Sequence, residues 1–198
     1  MSRRPNAHMR ERILKSAYEL FYKNGFKGVS MDDVASAAGV KKANLFHYYP
    51  TKEALGLAVL SHGVNGQKEM VMSRFSHEKD PIKTLEEMFV DAASRMQKNG
   101  CCRGCFIGNF AQELSDQNEK LRKKISEYFH FWTQQVADYL ERWQMKGYFK
   151  KGFEPREAAE GILASFEGAF LFCKANKQLN PIHNTKKMVG SYLKGFRA

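Results

Sequence analysis

The stretch from Val29 to Leu55, VSMDDVASAAGVKKANLFHYYPTKEAL, restricts the fold of this chain more than any other part of it. Ser30 stands where it can cap a helix of about two turns, with Asp33 three residues on as the acid of a capping box. Asp32 and Asp33 both suit the positive end of that helix. Val34, Ala35 and Ala38 give it an apolar face, and Gly39 ends it, because the residue after a helix adopts a positive φ that glycine takes without strain. Val40 plugs the turn. A second helix is expected over Lys41–Tyr49, turning Val40, Leu45 and Tyr49 inward and leaving Lys42, Ala43, Asn44, His47 and Tyr48 outside. Pro50 stops it, and Thr51 recaps the chain into a third helix with Lys52 in its first turn. A lysine there is unfavourable unless an anion lies close.

The outward groups match the chemistry of base-pair edges. Lysine bonds guanine O6 and N7 or a phosphate, asparagine pairs with adenine N6 and N7, alanine meets a thymine methyl, and His and Tyr add hydrogen bonds with flat apolar surface. A helix of this size fits the major groove of DNA. With Ser30, Ala38-Gly39-Val40, Leu45-Phe46, Tyr48-Tyr49 and Lys52 in register, the block resembles the helix-turn-helix of the TetR family of bacterial transcriptional regulators. Phe46 and Pro50 depart from that family's usual tyrosine and polar residue, so one phosphate-binding hydroxyl is missing and the start of the third helix is open to a shift. The expected division of labour has Lys42, Ala43, Asn44, His47 and Tyr48 reading bases, and Ser30, Lys41 and Lys52 holding phosphates.

A net charge of +11 fits an acidic partner such as nucleic acid or an anionic membrane surface, between which charge alone does not choose, and residues 1–55 carry ten Lys or Arg against five Asp or Glu. No run approaches a membrane span or the apolar core of a signal peptide, so a cytoplasmic protein with reduced cysteines and no membrane partner is expected. Residues 1–7 read as a basic arm, and a first helix runs from about His8 to Asn24.

The rest is helical by pattern, giving an all-α chain of about nine helices, divided as a DNA-binding domain at 1–55 and an effector-binding and dimerisation domain at 56–198. Helices are expected from Thr51 toward Ser76, from Asp80-Pro81 to Asn99-Gly100, over Phe106, Phe110 and Leu114, and from an Asp116-Glu119 start through Trp143. Pro155 opens another to about Lys174, and Asn184 caps the last. Gly161, Ala164, Ser165 and Gly168 form a small-residue stripe that lets a second helix approach. The family resemblance implies that the last two helices dimerise, with Val189 and Tyr192 in the same interface.

Cys102 and Cys105 have the C-x-x-C spacing, but no second pair follows, so neither metal nor cofactor is expected. Buried or loop thiols are one reading. The other places Cys105 at a helix start beside Arg103, where dipole and cation favour a thiolate, and the surrounding stretch resembles electrophile- and oxidant-responsive TetR-type repressors. Cys105, Phe106, Phe110, Tyr128, Phe129, Trp132, Phe166 and Phe170 are the candidate effector pocket or sensor. The resulting expectation is a homodimeric repressor released from a double-stranded, inverted-repeat operator by a small-molecule or thiol-reactive effector, with no catalytic residues. A thiol enzyme or redox protein using Cys101–Cys105, and a non-specific basic nucleic-acid binder, are the alternatives.

Overall fold

A computed structural model describes residues 7–198, so all but Ala7 of the expected basic arm lies outside it. Among these residues there are nine helices: α1 Ala7–Asn24, α2 Met31–Ala38, α3 Lys42–Tyr48, α4 Lys52–Phe75, α5 Pro81–Lys98, α6 Phe106–Leu114, α7 Glu119–Met145, α8 Pro155–Asn176 and α9 Asn180–Gly195. The only β-type pairing described is an isolated bridge between Phe149 and Arg197, so the chain is all-α.

Two starts differ from expectation. Asn118, not Asp116, begins α7, its Oδ1 accepting from the Leu121 N–H at 3.1 Å. Helix α9 starts at Asn180 rather than after Asn184, because Pro181 in the first turn has the φ a helix needs and no N–H to leave unpaired.

The chain divides into two compact units. The first comprises residues 1–66 and 106–126, and the second residues 67–105 and 127–198. The boundary falls inside α4, and α6 with the head of α7 joins the N-terminal helices. Aromatic packing explains this. Phe106 lies 4.5 Å from Tyr18 and 5.4 Å from Tyr22, while Phe110 lies 5.9 Å from Phe26 and 6.3 Å from Phe21. Three short N-terminal helices bury too little apolar surface alone, and each of these buried rings adds about 2–3 kcal/mol. Gly63 permits the approach: a Cβ there would sit 2.6 Å from Phe106 Cε1.

The second unit packs α5, α8 and α9 with the remaining parts of α4 and α7. Phe89, Phe166, Phe170 and Trp132 form a continuous run of edge contacts between 4.9 and 5.4 Å. Thr84, buried within it, receives the Tyr139 hydroxyl hydrogen bond at 3.0 Å and gives its own to Asp80 O at 3.0 Å.

Candidate functional site

The helix-turn-helix is built as its residues require. Ser30 has extended backbone, its Oγ accepts from Asp33 N–H at 3.1 Å, and its own N–H donates to Asp33 Oδ2 at 2.8 Å, completing the capping box. Gly39 ends α2 at φ 59°, ψ 42°, a left-handed conformation that costs other residues a Cβ clash. Leu45 and Tyr49 are buried, which anchors α3 on its inner side. Lys41, Lys42, Ala43, Asn44 and His47 are exposed and Tyr48 is half-exposed, its ring 5.4 Å from that of His47. The six stand together on the outer face.

Three of the expected DNA contacts are engaged within the chain. Lys42 Nζ pairs with Asp32 at 2.8 Å, both ends well exposed, an interaction worth well under about 1 kcal/mol that a phosphate or guanine can displace. The Ser30 hydroxyl donates to Asp33 Oδ2 at 2.7 Å, so a phosphate would have to compete with that carboxylate for its hydrogen. Lys52 is pinned: its ammonium donates to Lys27 O at 3.2 Å and sits 4.7 Å above the Phe26 ring. Burial pulls its pKa down, against the opposing pull of Glu113 and Asp33.

Glu113, which sequence reasoning passed over, ties α6 to the reading block. Its carboxylate accepts from the N–H groups of Phe26 and Lys27 at 3.3 and 3.0 Å, in the link between α1 and α2. Nothing in the local pattern could reveal this, since the partners lie 87 and 86 residues away.

The candidate effector residues fall in both units. Phe106 and Phe110 belong to the core of the first unit, whereas Cys105, Tyr128, Phe129, Trp132, Phe166 and Phe170 belong to the second. Cys105 immediately precedes α6, is buried, and bonds through its side chain to the Glu167 carboxyl group. Burial pushes that carboxyl up to about 7, with the Cys105 bond acting in the opposite direction. Cys102 is the exposed thiol, 3.7 Å from the Lys177 ammonium.

Of the expected interface residues, Gly161, Ala164 and Tyr192 are exposed, and Ser165 and Gly168 half-exposed. Val189 is not available: at 2% exposure it packs inside its own chain. In its place the same two helices expose Leu171, Phe172 and Met188.

An exposed recognition face on a short helix, locked behind a capped helix and a glycine turn and joined to a separate helical unit, defines a helix-turn-helix DNA-binding regulator. Residues 13–59 match the model of bacterial regulatory proteins of the tetR family, and residues 81–188 match the C-terminal domain of LmrA/YxaF-like transcriptional regulators. The chain belongs to the TetR family of bacterial transcriptional regulators. It is 28% identical over 176 residues to an uncharacterised HTH-type regulator in the lacX 3' region of Lactococcus lactis, covering 88% of each chain. It is 25% identical to the repressor DhaR of a Mycobacterium species, over 92% of this chain and 89% of that one. The reduced form of Escherichia coli NemR superposes with a TM-score of 0.85 at 22% identity, over 96% of this chain and 97% of that one.

Proposed function

We propose that two copies of this chain hold an inverted-repeat operator as a repressor and release it when an effector engages the second unit. The observation that supports the DNA half is the solvent-facing row on α3; in this reading Lys42, Ala43, Asn44, His47 and Tyr48 meet bases, and Ser30, Lys41 and Lys52, beside that row, meet phosphates. A seven-residue helix reads too few base pairs alone, so specificity calls for a second copy. Gly161 and Gly168 support α8 as the meeting face: a Cβ at either meets nothing of its own chain within 4 Å, so glycine is not needed there for the fold of one copy. The exposed Leu171, Phe172, Met188 and Tyr192 supply apolar area alongside.

Selecting bound fragments from the source genome, with bulk DNA as competitor at stated salt, tests this reading. Recovery of fragments sharing an inverted repeat supports it. Equal retention of all sequences sinks it in favour of a non-specific basic binder.

A thiol-reactive effector is the second reading. DhaR and NemR are repressors by name, and the solved NemR is specified as reduced; in this reading the thiols of Cys101–Cys105 are what such an effector meets here. N-ethylmaleimide should label Cys102 first, because it alone of the four thiols is exposed and it stands beside Lys177. Operator release that follows Cys102 labelling and persists in Cys105→Ser would remove Cys105 as the switch. Release lost in Cys105→Ser and kept in Cys102→Ser would establish it.

A further inference from the structure

Inside the second unit two buried polar atoms have no hydrogen-bond partner among the described residues: Nε1 of Trp132 on α7 and Oε1 of Glu167 on α8. Trp132 is only 5% exposed, and Glu167, half-buried as a residue, has its Oε1 sealed from solvent. Native proteins leave few such groups, since each costs the hydration it gave up. These two belong to one neighbourhood. The Trp132 ring lies 5.4 Å from Phe166, the residue before Glu167, and 5.9 Å from Tyr128, whose hydroxyl feels the Glu167 charge. The Tyr128 hydroxyl already donates to Gln67 Oε1 at 2.7 Å, and the Cys105 side chain already bonds the Glu167 carboxyl group. What remains is one donor that cannot accept and one acceptor.

We propose that Trp132 and Glu167 form the polar end of a ligand site whose occupant is a neutral molecule with an apolar body and an alcohol group. The alcohol oxygen accepts from Trp132 Nε1, and its hydrogen goes to Glu167 Oε1. An ether or ketone answers only the indole, an alkylammonium answers only the carboxylate, and a ligand carboxylate is repelled by Glu167. Tyr128, Phe166 and Phe170 provide aromatic surface for the apolar body. Burial holds the Glu167 carboxyl near 7, and a ligand donor, by favouring the ionised form, pulls that value down. This rests on the reading of the second unit as the effector-binding one.

The test is equilibrium binding of benzyl alcohol, benzyl methyl ether, toluene and benzylammonium to the full chain by ligand-observed NMR, with operator release followed separately. Benzyl alcohol should bind at least roughly tenfold tighter than the ether or toluene. Trp132→Phe and Glu167→Leu should each erase that preference, and Glu167→Gln, which keeps an acceptor, should retain most of it. Operator binding and helicity like those of the unsubstituted chain show that a variant is folded. If Glu167→Leu fails that check, Trp132→Phe and Glu167→Gln decide. Equal binding of alcohol and ether, tightest binding by benzylammonium, no binding of any probe, or a preference that survives Trp132→Phe overturns the proposal; the absence of binding would leave the two atoms to a structural water. Selective binding without operator release would leave the site standing and fail the effector reading. Release without selectivity would do the reverse.

Discussion

Glu167 is the residue whose chemistry departs most from its ordinary behaviour, and it gives the protein a pH dependence of definite sign. In the unfolded chain its carboxyl ionises around 4.5, and in the folded chain around 7, so between these values the folded state binds more protons. Its contribution to stability is full below about pH 4.5 and is lost as the pH rises to 7, by about 3 kcal/mol if the shift is expressed fully. Glu167→Gln should therefore raise stability at pH 8 and flatten the slope across this window, measured by urea unfolding at a series of pH values. Identical slopes in the two proteins would show that the carboxyl is not held as described. The reading residues make a second prediction at this scale. Tyr48→Ala and Lys42→Ala should each cost operator affinity about 1–3 kcal/mol and alter sequence preference. Lys52→Ala should weaken all DNA alike, and a change in sequence preference for Lys52→Ala in binding competitions would reassign it as a base reader.

Helix α6 is the element whose place the sequence pattern could not convey. Its periodicity correctly indicates a short helix over Phe106–Leu114, but periodicity says which side is apolar, not which helices cover it. The cover comes from α1 and the Gly25–Val29 link, through Phe106, Phe110 and the Glu113 carboxylate. Glu113→Ala should leave two backbone N–H groups without their acceptor and destabilise the link by about 1–2 kcal/mol. Operator affinity should fall with it, while the affinity of the second unit for its ligand is unchanged. Unaltered operator binding in Glu113→Ala would show that α2 and α3 hold their position without α6. By contrast, the helix-turn-helix itself was legible residue by residue, because the cap at Ser30, the turn at Gly39 and the stop at Tyr49-Pro50 are decided by neighbours within a few positions.

At the scale of the whole molecule the open question is how two reading helices come to act together. Gly168→Leu adds a side chain where the single chain has room, so each copy should fold normally and its melting as a monomer should be near that of the original. If α8 meets its copy there, the same clash occurs twice across the symmetric interface, and sedimentation should show monomers with operator binding reduced at least roughly tenfold. A Gly168→Leu protein that remains dimeric would move the interface to another face. Replacing exposed Phe172 by Ser provides an independent check on the same surface, with weaker self-association expected.

The amino-acid sequence by itself determined the all-α class, most of the helix limits to within a residue or two, and the outward set on α3, because capping, turn conformation and helical periodicity act over a few residues. Its small-residue stripe on α8 likewise marked a face with room for close approach. Only the tertiary structure decided that α6 belongs with the N-terminal helices, that Phe106 and Phe110 are buried among them, and that Val189 is internal. It also decided that the exposed cysteine is Cys102 and that Cys105 faces a buried carboxyl group. These are contacts between residues tens of positions apart, where burial and partner are set by how helices pack. A local pattern carries the apolar face of a helix but not the identity of what it meets.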